Sequence, residues 1–572
     1  MKKNRSLQFI LLGMILSVHS LLLINSTFVS SPNIDELAHL PAGISHWEFG
    51  RYDLYRVNPP LVRMVAALPV LLTDAVKDWS NFRNSPYSRA EFFVGKDFTK
   101  NNQFNTFRYF AIARWACIPF SLLGCFVAYC WAFELYGRTS AVVALSLYAF
   151  CPNMLAWGAS ITPDAAAASI ALLAKWTFWE WLKSPKLSKA LWAGGALGVA
   201  LLCKTTAIFF FPIYSAIWIV ACLRRRGKQE IKRWPIHQLG ALLLTGLYLL
   251  NLGYGFEGSF TRLGDFKFVS HALSGEETPP LGANQFAGTF YGAIPVPLPS
   301  NFVRGIDLQK FDFEQGKWSY LMGEQKKGGW WYYYIVAFLV KNPLGFLVIL
   351  AAAFGTAVSG KLRLRPAELF LLGPALFLFV LVSSQTGFNR YYRYILPCVP
   401  FLFIFASRVV ANTGFKSRRG VFAFVATLAI VVESLSVYPH SMSFFNVAVG
   451  GPLGGPEYLL DGNIDWGQDL LELKRWYDAH PEARPFHAAY FSDWDIAPSI
   501  AEIDCQEVPK HTDLTQPPPA LTPGWYAVSV NFVYGLHYFE NDTPVYRYFR
   551  QMKPVDRAGY SIYIYHVMKH GQ

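Results

Sequence analysis

Residues 33–63 read NIDELAHLPAGISHWEFGRYDLYRVNPPLVR and follow directly on the first long apolar run of the chain. Asn33 is placed to cap a helix whose third residue is Glu36, an approximate capping box. Asp35 and Glu36 then stand in the first turn, where the helix dipole favours negative charge. His39 follows at i+4 and i+3 from them, on the same side. Aromatic residues lead on to Asn58-Pro59-Pro60. Alone, this is a capped interfacial helix with ordinary first-turn acids. The rest of the chain gives it chemical interest, by placing that turn at a membrane surface opposite a second acid.

Hydrophobic residues make up 53% of the 572, charged residues only 16%, and the mean hydropathy is +0.24. Those proportions exclude one compact soluble domain and predict a polytopic α-helical membrane protein. A net charge of +13 would otherwise suggest nucleic acid. Here the basic residues cluster in short loops between apolar runs, and no RNA- or DNA-binding motif occurs. The eight cysteines form no CxxC pair and no zinc spacing, and read as small core hydrophobes.

Leu7–Val29 is long enough to span a bilayer and longer than a typical signal-peptide core, which favours a retained anchor over a cleaved leader. Further apolar runs lie at Phe107–Phe133, Thr139–Trp157, Pro163–Leu182, Leu187–Leu202, Thr205–Leu223, Ile236–Tyr254, Trp331–Phe354, Pro366–Val382, Tyr394–Val410 and Val421–Tyr438, about eleven spans in all. With the amino terminus cytoplasmic, the inner loops are Glu134–Arg138, Lys183–Lys189, Arg224–Arg233, Lys361–Arg365 and Arg408–Arg419. Four of these five hold at least three Lys or Arg, as the positive-inside rule requires. The outer face receives Thr27–Thr106, with a helix over Pro59–Leu72 lying along the interface, and Gly255–Trp330, long enough for a functional cover. It also receives everything after Tyr438. The expected organisation is a transmembrane domain over 1–438 and a small extracytoplasmic α/β domain over 439–572. In the latter, Gly467–His480 has helical periodicity while Phe486–Phe491, Trp525–Val533 and Tyr560–Val567 read as strands.

On that topology a second acid, Asp164, also faces outward. It begins a span behind Thr162, a good N-cap, and Pro163, a good first helical residue. Its plain role is to complement the helix dipole. Lys341 stands ten residues into Trp331–Phe354, roughly 15 Å deep at 1.5 Å per residue, and an intramembrane lysine is functional by default. Lys204 breaks an apolar hairpin at the outer surface, where snorkelling explains it equally well. Arg390 and Arg393, in RYYRYILP, open a late span and would also serve as an interfacial anchor. Lys175 and Arg114 are intramembrane as well, with nothing beside them to define a role. Carboxylates suit a general base or a metal, and cations suit phosphate or pyrophosphate. One lipid-bound phosphate substrate would explain both sets.

These residues resemble the GT-C superfamily of polytopic glycosyltransferases, in particular the protein O-mannosyltransferases and the bacterial aminoarabinose lipid A transferases. The likeness is carried by Asp35-Glu36 with His39, Asn58-Pro59-Pro60-Leu61, Thr162-Pro163-Asp164, Lys341-Asn342-Pro343-Leu344 and Arg393-Tyr394-Ile395-Leu396-Pro397, in order over about residues 7–440. It implies a polyprenyl-phosphate sugar donor, an acceptor that is a lipid, a glycan or a protein, and inverting transfer on the outer face of a bacterial-type inner membrane. Carried over, Asp35 would be the acceptor-activating base, with Glu36 and Asp164 supporting it or orienting the acceptor. A divalent cation (Mg or Mn) at Asp35 and Glu36 remains one option. Arg393, Lys341, Arg390 and Lys204 would hold the donor phosphate, and His39 and Asn58 would line the acceptor side. The chain departs from the aminoarabinose enzymes by Asn58, where they have a charged residue, and from the protein O-mannosyltransferases by having no room for their β-trefoil insertion. In Tyr458–Leu470, YLLDGNIDWGQDL, the acids do not fit an EF-hand, and Asp465 or Gln468 reads as helix-start chemistry. A transporter or flippase of lipid-linked saccharides is the competing class, disfavoured because no internal repeat is evident.

Overall fold

The computed structural model describes residues 2–225, 236–277, 279, 281–358, 364–492, 496–537 and 543–568. Among them seven helices are long and apolar enough to cross a membrane: Gln8–Val29, Asn105–Tyr136, Thr205–Leu223, Ile236–Gly253, Pro366–Ser384, Tyr392–Val410 and Arg418–Val437. The pair Tyr333–Lys341 and Leu344–Ala357 makes an eighth if counted as one. Hydropathy alone had suggested about eleven, and the shortfall has local causes. The run at 139–157 is broken before Pro152 into Arg138–Ala149 and Pro152–Trp157. Asp164–Lys183 carries Asp164, Lys175, Glu180 and Lys183. Leu187–Cys203 is only 17 residues long. Of the basic inner loops, residues 226–233 of Arg224–Arg233 and 361–363 of Lys361–Arg365 lie outside the described residues.

The expected straight span over Trp331–Phe354 is instead bent by 116° at Asn342-Pro343. A residue before proline is biased away from helical dihedrals, and Asn342 is extended at φ −112°, ψ 143°. The bend changes the reading of Lys341. Its Nζ donates to the carbonyls of Met442 at 2.8 Å and Asn463 at 2.6 Å, and lies 4.5 Å from the Phe445 ring centroid. It ties the broken helix to the 442–463 segment.

The segment between the first two spans, expected as an external loop, is largely helical. We label α1 (Lys2–Val29), α2 (Ile34–Phe49), α3 (Leu61–Val70), α4 (Ala90–Asn102) and α5 (Asn105–Tyr136). The capping box at Asn33 and Glu36 forms as the sequence suggests, and Gly50 closes α2 in the left-handed conformation at φ 63°. α2 is then gripped from two sides. Gly43 meets the Arg63 carbonyl of α3, and Gly95 of α4 meets the Leu37 carbonyl; a Cβ at either position would clash with backbone. Arg63 is buried and donates to His46 Nε2 (2.9 Å) and to the carbonyls of Tyr55 (2.8 Å) and Asn58 (2.7 Å), which fixes the turn ending at Asn58-Pro59-Pro60.

Beyond residue 485 the chain forms a five-stranded sheet in the order Gln506–Glu507, Phe486–Ala489, Gly524–Ser529, Ile562–Val567, Asp556–Ala558. The first three run parallel and the last two are antiparallel to their neighbours, with Phe486 opposite Trp525 and Ala489 opposite Val528. The strand expected to reach Val533 stops at Ser529, whose hydroxyl accepts from the Asn531 amide and starts a short helix. The segment before this sheet docks on the membrane part through backbone pairing. Ser31 N donates to Gln468 O at 2.9 Å and Ile34 N to Trp466 O at 3.1 Å, while the Ser31 hydroxyl both donates to Gly467 O and accepts from Leu470 N. α2 therefore begins against residues 466–470.

Candidate active site

A cavity of about 1380 Å³ opens between α2, α4, the helix Ser300–Gln315, one end each of Thr205–Leu223, Pro366–Ser384 and Tyr392–Val410, and the edge of the C-terminal sheet. Asp35, His39, Asn58, Asp164, Lys204, Arg390 and Arg393 all line it. At its centre charges alternate. Arg393 Nη1 lies 2.5 Å from Asp35 Oδ2 and 3.9 Å from Asp164 Oδ2, and Lys204 Nζ lies 2.6 Å from Asp164 Oδ1. The set of two acids and two bases is neutral as a whole, which makes the buried Asp164 and Arg393 tolerable beside the partly exposed Asp35 and Lys204. Aromatic rings of Trp157, Tyr391, Tyr394 and Trp466 surround the Arg393 guanidinium at 4.8–5.8 Å. Arg393 Nε is buried and has no hydrogen-bond partner among the described residues.

Asp164 stands in the first turn of Asp164–Lys183, but Thr162 is not its N-cap. Pro163 precedes the helix without a side-chain cap, and the Thr162 hydroxyl bonds that of Ser160 at 3.0 Å. His39 packs its ring 4.3 Å from that of Tyr55, and its Nδ1 is unpartnered among the described residues. Burial, and then the charges of Arg63 and Arg393, hold it well below the usual histidine range, so it enters as a neutral imidazole. Arg390 faces the cavity but is engaged from behind by Asp461, 2.6 Å from Nη2.

Two of the sequence candidates are not brought to this cavity. Lys341 is the tie described above. Glu36 points the other way around α2: its Oε2 is 2.5 Å from Arg114 Nη2 and also accepts from Asn33 N, while Oε1 accepts from Arg114 Nε, Ser160 Oγ and Ile161 N. Burial raises its pKa, but Arg114 and the donated hydrogen bonds outweigh that and leave it below the ordinary carboxylate value. A divalent ion shared by Asp35 and Glu36 does not fit these positions. Glu36's oxygens are filled by protein donors beside a guanidinium, and Asp35 Oδ2 is filled by Arg393.

Trp466 was overlooked in sequence. Its Nε1 donates to Asp35 Oδ2 at 3.2 Å, across 431 positions of chain. Trp466 stands in YLLDGNIDWGQDL among the acids, with no local pattern that ties it to Asp35. Neither Asp465 nor Gln468 starts a helix; the helix begins at Leu470. Gln468 Oε1 accepts from Trp466 N at 2.7 Å, and Asp465 accepts from the Ser529 hydroxyl and from Gly467 N. Both pin the Trp466 loop. Burial pushes Asp465 up from 3.8 to about 7, against the opposing hydrogen bonds from Ser529 and Gly467. A carboxyl whose folded value is raised contributes stability at low pH and loses it as pH rises through that value. Wild-type melting temperature should therefore fall between about pH 4 and pH 7, at about 1.4 kcal/mol per unit at most. Asp465→Asn should remove that fall and melt above wild type at pH 8. Parallel melting curves for the two proteins would count against the assignment.

Residues 107–248 match the family model described as dolichyl-phosphate-mannose-protein mannosyltransferase, so this segment is similar to a family of membrane sugar transferases. Among solved structures, the chain is similar to ArnT from Cupriavidus metallidurans in the apo state, with 14% identity, coverage of 96% of this chain and 97% of that one, and a TM-score of 0.45. The same protein bound to undecaprenyl phosphate gives 12% identity, the same coverage and a TM-score of 0.46. No curated protein sequence matches the chain significantly.

Proposed function

We propose that this protein is a GT-C glycosyltransferase, with about eleven membrane crossings over 1–438 and an extracytoplasmic domain over 439–572. It moves a hexosyl or pentosyl group from a polyprenyl-phosphate donor to an acceptor on the outer face of the inner membrane. The observation that carries this reading is the alternating set Asp35, Arg393, Asp164 and Lys204 inside one large cavity. Its lower wall, including Ile208, Phe209, Leu378, Leu381 and Val382, belongs to helices apolar enough to be membrane spans. The match to a family named for a polyprenyl-phosphate sugar agrees with it.

The transfer proposed is an inverting displacement. In the donor the phosphate is a diester with one negative charge. As the bond from the anomeric carbon to phosphate oxygen breaks, its electrons leave with the phosphate, which becomes a monoester with a second charge. Arg393 and Lys204 stabilise that developing charge. The acceptor hydroxyl oxygen forms the new bond from the opposite face and gives its proton to Asp35. Without ligand, Arg393 is held by Asp35; an arriving phosphate competes for that guanidinium and releases the carboxylate to act as base. Asp164 keeps Lys204 and Arg393 in place.

The test follows a radiolabelled sugar from a panel of polyprenyl-phosphate donors incubated with purified protein and membrane extract. Label should pass to a new product, whose chemistry names the acceptor. If no donor is consumed while labelled lipid crosses reconstituted vesicles, the flippase class replaces this one. Trp466→Phe supplies a finer check. It keeps an aromatic ring but removes the donor to Asp35, and hydrogen bonds to charged groups contribute about 1.5–3 kcal/mol. Turnover should drop about tenfold or more with the donor KM unchanged, and the same change in an Asp35→Asn background should add nothing. Multiplicative losses in the double variant would show that Trp466 acts elsewhere.

A further inference from the structure

Between Glu277 and Arg304 the sequence carries no charged residue, an unusual gap for a segment on the water side of a membrane protein. Its side chains are not hidden. Phe290 is 82% exposed and Tyr291 62%, and beside them Phe260 is 62% exposed, with Phe256 and Ile294 also exposed. The two stretches are tied together. Phe260 N donates to Val296 O and Leu263 N to Ile294 O, both at 2.9 Å, and Val296 N returns a bond to Thr261 O at 3.0 Å. Gly264 and Gly292 let the two backbones touch, since a Cβ on Gly264 would lie 3.1 Å from Gly292. The aromatic groups thus form one patch rather than scattered residues.

The patch continues the exposed apolar face of a candidate span. The candidate span Ile236–Gly253 exposes Leu244, Tyr248 and Leu252, and the Tyr248 ring lies 5.7 Å from that of Phe256, three residues beyond the span's end. Asn251, in the last turn of the span, donates to Pro297 O at 3.1 Å, which brings the far end of the segment back to the same level. Aromatic side chains at the end of a membrane helix belong to the headgroup zone, where an apolar ring and a polar edge are both accommodated. We infer that residues 256–277 and 281–296 form a foot resting in the outer leaflet, with Phe256, Phe260, Phe290, Tyr291 and Ile294 inserted among phospholipid headgroups. The foot leads directly into the helix Ser300–Gln315, whose Ile306, Gln309 and Phe313 line the cavity. Ser300 N is bonded to Glu257 O at 3.0 Å, so that helix takes its height above the membrane from the foot.

A nitroxide placed by Phe290→Cys or, separately, by Tyr291→Cys tests this in phosphatidylcholine nanodiscs, with the labelled unsubstituted protein as background and Thr512→Cys as a water-facing reference. Both foot positions should collide more with oxygen than with a nickel chelate, and position 512 should show the reverse. Nickel accessibility at 290 and 291 equal to that at 512 would overturn the foot. So would protection from both reagents, which would mean a protein cover, such as a second copy. No sugar donor is present, so the outcome is independent of the transferase reading.

Discussion

Asp35→Asn should lower sugar transfer by a factor of 10² to 10⁴, the usual contribution of a positioned general base, while strengthening the binding of the donor's phosphate. The second half of that expectation distinguishes this site from a generic one. In the wild type, Arg393 Nη1 is held by Asp35 at 2.5 Å, with Asp164 farther off at 3.9 Å. A phosphate must displace the nearer carboxylate to gain the guanidinium. Asparagine is nearly isosteric and can still accept from Trp466 Nε1, but it is uncharged and releases Arg393. Donor titration of purified protein should therefore give a tighter dissociation constant for Asp35→Asn, and single-turnover transfer a slower rate. Loss of both binding and transfer would make Asp35 a donor ligand. Unchanged transfer would remove it from the mechanism. Asp164→Asn offers the contrast: Lys204 loses its partner at 2.6 Å, so the cation set loosens and the donor KM should rise more than kcat falls.

What the sequence made visible divides along physical lines. The capping box at Asn33 and Glu36 was legible because it is a three-residue relation that depends on nothing distant. The meeting of Asp35, Asp164 and Arg393 was legible only through topology, by counting apolar runs until all three fell on one face. The count of runs was less secure. Length and hydropathy alone do not reveal that the helices break at Pro152 and Pro343. The Asp35-Glu36 dipeptide was ambiguous for a geometric reason. Adjacent helical residues point about 100° apart, so one faces the cavity and the other α5, and no local pattern says which. The role of Trp466 is not legible in sequence because its partner Asp35 is 431 positions away and the two meet only where the C-terminal segment docks, through Ile34 N to Trp466 O. Lys341 shows the converse error. Depth along a straight helix marks it as functional and the family resemblance makes it a phosphate ligand, whereas its ammonium donates to the carbonyls of Met442 and Asn463.

Glu36→Ala should destabilise the protein by about 3–5 kcal/mol, the cost of leaving one member of a buried ion pair alone. Arg114 would keep its charge in a site where its side chain is 8% exposed, and the amides of Asn33 and Ile161 would lose their acceptor. Three elements meet at this carboxylate: the start of α2, the middle of α5 and the turn before Asp164. Its loss should therefore show first as a lower melting temperature in detergent and as reduced recovery of folded protein, with activity per folded molecule largely kept. Arg114→Met alone should be similarly damaging, because Glu36 is then the stranded charge. The pair Glu36→Met with Arg114→Met should recover only part of the stability, since Arg114 also donates to the carbonyls of Ser30 and Ser31 at 2.7 and 2.8 Å. Acid should act in the same direction as the single variants. A carboxylate held below its unfolded value of 4.5 contributes stability above that pH and loses it as the pH falls further. Glu36→Gln separates structure from chemistry. Glutamine keeps the shape but not the charge, and its single oxygen can accept from only one of the two backbone amides, Asn33 N (now at Oε2) or Ile161 N (now at Oε1). If that variant melts like wild type and yet transfers no sugar, Glu36 takes part in the reaction from outside the cavity; a lower melting temperature with transfer retained places it where its hydrogen bonds already do, as the pin that sets Asp35 against Arg393.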